Sequence, residues 1–428
     1  MNDELERLKM FRDLRAEIRG SSQHLVVGID VAKDKHHAFY GTANGKTLRK
    51  RFVFENRRAA FDELRALARD LATRHSLTKT VYGLEPTGVY HKPLLEYLLG
   101  QGDHVVLISP VAACRNRESL DGRWDKNDTS DSANAADLLG QGKYLFADDP
   151  EADLRELRSL VRTRARMRKL EHMLRMRIRN CLIAEYFPEL ESGYDKGGQD
   201  RVVLRVVSRC FDPAAIAGME FEAFWNRIAQ PRWGKAQEGR VRAVWEGAKA
   251  SVGCRLNDAV RWEAPNLVSR LETLREDLKE VERCTADLAQ RLPGYPSVIS
   301  IPGVGPVLAA MILAAVGDPQ RFQHPKQVLR LAGLDLCASR SGKTSERAVP
   351  KISKQGKAML RYALVQAAKI AVRSSPALRA YYSKLLQGRE QERGIGLKRL
   401  VKVAAKLLVI AWTLMRRGET FDPAKIQA

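Results

Sequence analysis

Apolar residues recur with two different periods along this chain, and the change of period divides it. His24-Leu-Val-Val-Gly-Ile-Asp30 is a short apolar run closed by a carboxylate, the pattern of a buried strand. Lys35 to Ala43 and Lys46 to Glu55, the latter with Phe52 and Phe54 alternating, flank Asn44-Gly45, a strong hairpin signal. Three antiparallel strands follow from this. Phe61, Leu64, Leu67 and Leu71 then fall at helical spacing between Arg57 and His75. Thr78 to Leu84 reads as a fourth strand, and it too ends in a carboxylate, Glu85. A helix containing Leu94 to Leu99, a fifth strand from His104 to Ile108, and a basic loop with Arg115, Arg117 and Arg123 come next. A helix opened by Asp128 and Asp131 closes this part, with Ala133, Ala135, Ala136, Leu138 and Leu139 as its apolar side.

This order of elements is that of a ribonuclease H-like fold, in which the first and fourth strands are parallel neighbours. Asp30 and Glu85 then meet at adjacent carboxyl ends of strands, where open α/β sheets place their sites. Asp128 and Asp131, at i and i+3, share one face of the following helix. Asp at a helix start is also a common cap, and that reading accounts for one of the two well. Four converging carboxylates repel one another and need a cation. Oxygen-only ligands favour Mg²⁺ or Mn²⁺. Two such ions about 4 Å apart activate an attacking oxygen and stabilise a leaving one in phosphodiester chemistry.

Beyond residue 148 the period is helical. Glu151 to Tyr186 reads as one long helix with a near-heptad stripe (Leu154, Leu157, Val161, Leu170, Leu174, Ile178) and ten Lys or Arg residues, among them Arg164 and Arg168. That basic face is either simply solvated or a phosphate-contacting arm of a dimer. Leu267 to Leu292 is a second amphipathic helix, suited to a helical hairpin or an interchain coiled coil. Between them, Gly193 to Asn266 reads as irregular. Its Trp225, Trp233, Trp245 and Trp262 suit the core of a small helical insertion better than a base-stacking surface. Further on, Ile301-Pro-Gly303-Val-Gly305-Pro306 before an apolar helix has the form of a helix-hairpin-helix, whose backbone N–H groups grip a DNA phosphate; an ordinary Pro-Gly loop is the alternative. Gly342-Lys343-Thr344 is not a P-loop, because Cys337 stands where the first glycine is required. From Arg340 to Arg361 there are seven basic residues (340, 343, 347, 351, 354, 357, 361) and one acid. A serine hydroxyl among such cations is placed to attack phosphorus, although on the residues alone Ser341 is more often a turn residue.

Composition narrows the partners. The 428 residues carry 73 Lys plus Arg against 51 Asp plus Glu, a net charge of +22, which points to a polyanion, nucleic acid before membrane. The six cysteines are scattered without Cys-x-x-Cys spacing, which argues against a zinc site or a disulfide framework. The charged N-terminal stretch lacks the apolar core of a signal peptide, and Leu397 to Met415 carries four cations, so it is amphipathic and not a membrane span. A cytoplasmic, nucleoid-associated protein is expected.

The motifs themselves resemble a known family. GIDVAKDKH, GLEPTGVY and KNDTSDSANAADLL are similar to the three motifs of the DEDD transposases of insertion sequences, whose N-terminal domain resembles the RuvC-type Holliday-junction resolvase. The family pattern falls on Asp30, Glu85, Asp128 and Asp131, with Ser132 where Ala is more usual. IPGVGP, AGLDL, SRSGKT and KISKQGKAMLRYAL resemble the C-terminal transposase domain of the same family. There the serine of the Ser-Gly pair is taken as the nucleophile, which implies Ser341, with Ser339 and Ser345 as rivals. The resemblance covers roughly residues 24–145 and 295–375. It implies an N-terminal helical extension over 1–23 and a RuvC-like nuclease domain over 24–148. A helical and coiled-coil region over 149–294, with an insertion at 193–266, leads to a mainly helical serine transposase domain over 295–428. It further implies Mg²⁺ or Mn²⁺ on the four carboxylates, double-stranded donor and target DNA, a structured bridge RNA as guide, and a homodimer or homotetramer. Nucleic-acid contacts are expected at Gly303, Gly305, Arg340, Lys343, Lys351, Lys354, Lys357, Arg361, Arg164 and Arg168. A resolvase-like nuclease in which Ser341 is incidental, a related Piv-type DNA invertase, and a non-catalytic nucleic-acid-binding module are the competing readings.

Overall fold

A computed structural model of the chain describes residues 3–120, 128–191, 200–337, 351–385, 387–388 and 390–426. Arg123 and the segment with Ser339, Arg340, Ser341, Lys343 and Ser345 lie outside the described residues. The chain divides into two compact units, Met1–Pro150 and Glu151–Ala428.

The first unit is a mixed sheet between helices. Its strands are β1 (His24–Asp30), β2 (Lys35–Thr42), β3 (Thr47–Glu55), β4 (Lys79–Glu85), β5 (His104–Leu107) and β6 (Leu145–Phe146), in the order β3-β2-β1-β4-β5-β6. β2 is antiparallel to both β1 and β3, and β4 joins β1 in parallel, as does β5 to β4. The Asn44-Gly45 turn closes as its sequence requires, with Gly45 at φ +96 and the Thr42 N–H donating to the Lys46 carbonyl at 2.9 Å. On one face, α2 (Arg58–Arg74) and α3 (His91–Gly100) bury Phe61, Leu64, Leu94 and Leu98 against Val27, Ile29 and Leu84. On the other lie α1 (Asp3–Glu17), α4 (Pro110–Leu120) and α5 (Asp128–Gly140), with Leu14, Ile18, Ala113, Ala135, Ala136 and Leu139 buried on Val26, Val81 and Val106.

One expectation is corrected here. The stretch with Arg115 and Arg117 is not a loop but helix α4. Its apolar contribution is two small residues, Ala113, fully buried, and Ala112, partly buried, too weak a signal to register as a period.

The second unit is helical. α6 (Ala152–Arg177) continues through a π-helical segment, Ile178–Ile183. It pairs with α11 (Asp258–Gln290): Arg164 and Arg168 meet Glu282, Glu171 meets Arg275, and Arg177 meets Glu263. One number rises as the other falls, so the pair is an antiparallel hairpin within one chain. Between its arms the sequence is helical, not irregular: α7 (Asp200–Arg209), α8 (Pro213–Ala217), α9 (Phe221–Ile228) and α10 (Lys235–Lys249) share a separate core. Glycines and short helices masked the period there. Trp225, Trp233 and Trp245 pack against that core, and the Trp245 indole donates to the Met219 carbonyl at 2.9 Å; Trp262 is exposed.

The remaining helices are α12 (Tyr295–Ile299), α13 (Pro306–Val316), α14 (Pro325–Ala332), α15 (Ala358–Ser374), α16 (Pro376–Lys384) and α17 (Ile395–Arg417), with a two-stranded ladder of β7 (Leu336–Cys337) and β8 (Lys351–Ile352). Every residue of α13 from Ala309 to Val316 is buried, so this helix is the hub of the last core. Among the described residues no helix is long and apolar enough to cross a membrane.

Burial pushes the imidazoles of His24, His36 and His104 below the ordinary histidine range, with Lys79 adding to it at His24 and His104. Such groups contribute stability that is present above their unfolded value of about 6.5 and is lost as pH falls below it, because only the unfolded chain takes up the protons freely. The denaturant midpoint of the α/β unit is therefore expected to drop between about pH 7 and about pH 5. Circular dichroism in urea at stepped pH checks this, and a flat profile contradicts it.

Candidate functional site

Two strands of the sheet end in the same way, Gly28-Ile29-Asp30 and Gly83-Leu84-Glu85. They are aligned in register: Gly28 lies opposite Gly83, and Asp30 opposite Glu85. Side chains two apart on a strand share a face. The face that carries the glycines is therefore the face to which Asp30 and Glu85 belong.

Helix α5 lies on that face. A Cβ on Gly28 would stand 2.2 Å from the Ser132 carbonyl oxygen and 2.4 Å from the Ala136 amide nitrogen. One on Gly83 would stand 2.8 Å from the Leu139 side chain. Gly28 thus lets helix backbone rest on the backbone of β1, while Gly83 makes room for the Leu139 side chain over β4. At the helix's far end, Gly140 meets the carbonyl of Ala43, whose N–H bonds to His24 at the start of β1. The helix consequently runs antiparallel to β1, and its first turn, Asp128 to Asp131, falls at the Asp30–Glu85 end. Sequence, register and packing bring these elements to one place.

Asp131 is 2% exposed. Arg117 Nη2 stands 2.6 Å from its Oδ1 as an ion pair, yet that oxygen is buried without a hydrogen bond of good geometry. Taking a carboxylate out of water is costly unless its oxygens are coordinated or hydrogen-bonded, so a cation ligand fits this atom. The α4–α5 contact that holds Arg117 there is polar. Asn116 Nδ2 donates to Asn134 Oδ1 and Asp137 Oδ2, both at 2.7 Å, and Asn134 Nδ2 donates to the Ala113 carbonyl at 2.8 Å. Among the described residues no three acidic, histidine or cysteine side chains are grouped as a metal site; the side chain of Asp128 is not among them.

The loop after Asp30 is clamped from below. The Ala32 N–H donates to His36 Nδ1 at 3.2 Å, and Asn56 donates its amide N–H to the Asp34 carbonyl and its side chain to the Lys33 carbonyl. His36 is fully buried between Phe54 and Phe61. Sequence reading missed this clamp, and it missed Gly28 and Gly83, although the repeated glycine-x-carboxylate spacing was in plain view.

The second unit sorts the expected nucleic-acid contacts differently. Gly303, at φ +85, backs onto α15, where a Cβ would meet the Ala367 carbonyl at 2.4 Å; its glycine is required by packing. Gly305 is exposed, with open space around it, before Pro306 at the first position of α13. Lys357 Nζ donates to the Ala315 carbonyl and Arg361 to the Ala332 carbonyl, so both cations cap the C-terminal ends of helices. Arg164 and Arg168 both engage Glu282. Lys351 and Lys354 are exposed.

Comparison with known proteins fits both units. A family model described as Transposase, of the DEDD IS110 type, matches residues 27–188, and one described as Transposase IS116/IS110/IS902 family matches residues 296–383. The insertion element IS116 44.8 kDa protein of Streptomyces clavuligerus is 24% identical over 93% of this chain and 96% of its own length. The IS110 43.6 kDa protein of Streptomyces coelicolor is 25% identical over 92% of this chain and 95% of its own. The transposase for insertion sequence IS1111A of Coxiella burnetii is 33% identical over 34% of this chain and 37% of its own. An α/β unit with carboxylates at paired strand ends, followed by a helical unit, is thus matched in each part by transposases of mobile DNA. The chain belongs to the DEDD transposases of insertion sequences, the IS110/IS116 family.

The two glycines make separable predictions. Gly28→Ala presses a methyl group into helix backbone, which cannot rotate away, whereas Gly83→Ala meets only a leucine side chain. Overpacking of this kind costs about 1–3 kcal/mol. Gly28→Ala is expected at or above the upper end and Gly83→Ala at the lower, read as shifts of the urea midpoint. Equal, small shifts would show that α5 does not lie against β1 as described.

Proposed function

We propose that the α/β unit is a ribonuclease H-like, RuvC-like nuclease module in which Asp30, Glu85, Asp128 and Asp131 jointly hold Mg²⁺ or Mn²⁺. The observation that carries this reading is the Asp30–Glu85 register beneath the first turn of α5. The donor set is all oxygen, which suits a hard divalent cation. When bound, such an ion neutralises charge on a scissile phosphate and polarises its P–O bond.

The residues of the chain have distinct tasks in this reading. Asp30 and Glu85 present fixed oxygens from rigid strand ends, and the His36–Asn56 clamp keeps the Asp30 end from shifting. Asp131 supplies a desolvated oxygen from the helix start, where the helix dipole favours negative charge. Arg117 balances Asp131 until a cation arrives and afterwards is free to face phosphate. Ser341 is the nucleophile in the second unit. Its hydroxyl attacks a DNA phosphorus, a DNA hydroxyl leaves, and the phosphoserine ester keeps the bond energy until a hydroxyl of the exchanged strand displaces the serine. A serine domain over 295–428 working with a metal domain over 24–148, and a helical region over 149–294 between them, is the division of labour implied. Among the described residues of the expected set, Gly305, Lys351 and Lys354 are exposed in the second unit and are proposed as phosphate contacts. A structured guide RNA and a homodimer or homotetramer complete the proposal; the net charge of +22 suits an RNA as well as a DNA partner.

A plasmid excision-and-rejoining assay tests it. Asp30→Asn, Glu85→Gln, Asp131→Asn and Ser341→Ala are each expected to reduce recombination by at least about 10³-fold while the protein stays folded. A Ser341→Ala protein that still cuts and rejoins supports the resolvase-like reading instead. Sequencing the nucleic acid that co-purifies with the protein tests the guide: a defined small RNA supports it, and none opposes it.

A further inference from the structure

We propose that a groove in the second unit, between α14, the β7–β8 ladder, α16 and α17, receives an unpaired stretch of DNA strand. The groove encloses about 750 Å³, within the ~300–1,000 Å³ range of pockets that take small ligands. Its floor is apolar. Leu336, at 70% exposure, forms one wall, and Tyr381 and Ala405 contribute to the opposite side.

Its rim is cationic. Lys326 and Arg330 project from α14, and Lys402 and Lys406 from α17. The Lys406 ammonium stands 5.7 Å from the centre of the Tyr381 ring. One carboxylate lines the groove, Asp335, and it already accepts a hydrogen bond from Ser353. Four cations against one engaged acid call for a polyanion. An apolar and aromatic floor beneath them calls for a polyanion that also offers flat apolar faces. A duplex hides its base faces in the stack, whereas an unpaired strand presents base and phosphate at every step, the combination that aromatic floors with basic rims bind.

The position of the groove in the fold adds a second argument. Leu336 and Ile352 both line it and are paired across the ladder, as are Cys337 and Lys351. Ser341 is five residues along from Leu336 in sequence. Strand exchange requires DNA to be unpaired at the exchanged bonds, and the ladder residues Leu336 and Ile352 that line the groove flank, in sequence, the stretch that carries the proposed nucleophile. This inference rests on the chain's acting on DNA, not on Ser341 as the attacking group, because its test reads binding without strand transfer.

The test uses full-length protein and fluorescence anisotropy of a short labelled oligothymidine, with a duplex and an oligouridine of equal length as comparisons, at one salt concentration. Lys402→Glu with Lys406→Glu is expected to weaken single-strand binding about tenfold or more. Ala405→Phe fills the groove without changing charge. It is expected to weaken single-strand binding about tenfold while duplex affinity stays within about twofold. Should Ala405→Phe fail to fold, Leu336→Ala, at an exposed site, is expected to weaken single-strand binding about threefold on its own. Three results overturn the proposal: no effect of a folded groove-filling or Leu336 variant, equal losses for single strand and duplex, or tighter binding of the oligouridine than of the oligothymidine.

Discussion

The α/β unit depends on one contact, the seating of helix α5 directly on the backbone of β1 with its Leu139 side chain against Gly83 of β4. Strands and helices in α/β proteins are ordinarily kept apart by side chains. Here Gly28 removes that spacer, so the helix backbone comes within a distance no Cβ could tolerate, and its partner Gly83 leaves room for the Leu139 side chain. The close approach has a directional consequence. Because α5 runs against β1, its N-terminal turn is delivered to the carboxyl ends of the strands, where Asp30 and Glu85 stand side by side. Backbone packing thus brings the first turn of α5, with the buried Asp131, to the strand ends that carry Asp30 and Glu85. The Asn116–Asn134–Asp137 network and the Arg117–Asp131 pair then fix the helix against α4. A site that must hold several negative charges needs such rigid supports, because like charges would otherwise separate.

The second unit solves a different problem with its abundant cations. A chain with a surplus of Lys and Arg has more positive charge than its surface can leave unpaired, and several of those residues are used inside the fold. Arg158 and Lys357 donate to the last carbonyls of the central helix α13, and Arg361 to the end of α14. These are the carbonyls a helix cannot satisfy by itself, and a cation there also opposes the helix dipole. Arg164 and Arg168 lock the long hairpin through Glu282. A basic residue in this sequence is therefore not automatically a nucleic-acid contact. The cations around the groove differ in kind, since they surround an apolar cavity whose one acid is already engaged.

Much of this was legible in the sequence, for identifiable reasons. The strands, the Asn44-Gly45 turn and α2 follow from alternation, turn chemistry and a helical apolar stripe, all local signals. Asp30 and Glu85 announced themselves by closing apolar runs. What stayed hidden was non-local. Among its described residues helix α4 fully buries only Ala113 and otherwise carries mostly polar and basic side chains, so it passed for a loop. The helices from 200 to 249 are short and broken by glycines, so their shared core cannot be seen in any single window. The roles of Lys357 and Arg361 depend on where α13 and α14 end in space, which sequence spacing does not encode. His36 is one of two adjacent histidines in β2, and only its burial between Phe54 and Phe61 reveals it as the clamp on the Asp30 loop.

The central claim is that Asp30, Glu85 and the start of α5 create one place for a divalent cation. The most direct measurement is anomalous diffraction from crystals of the protein soaked in Mn²⁺. The account predicts a peak at about 2.0–2.6 Å from carboxylate oxygens of both Asp30 and Glu85, with an aspartate of α5 in the same coordination shell. Peaks elsewhere, with none between those two strand ends, would contradict it.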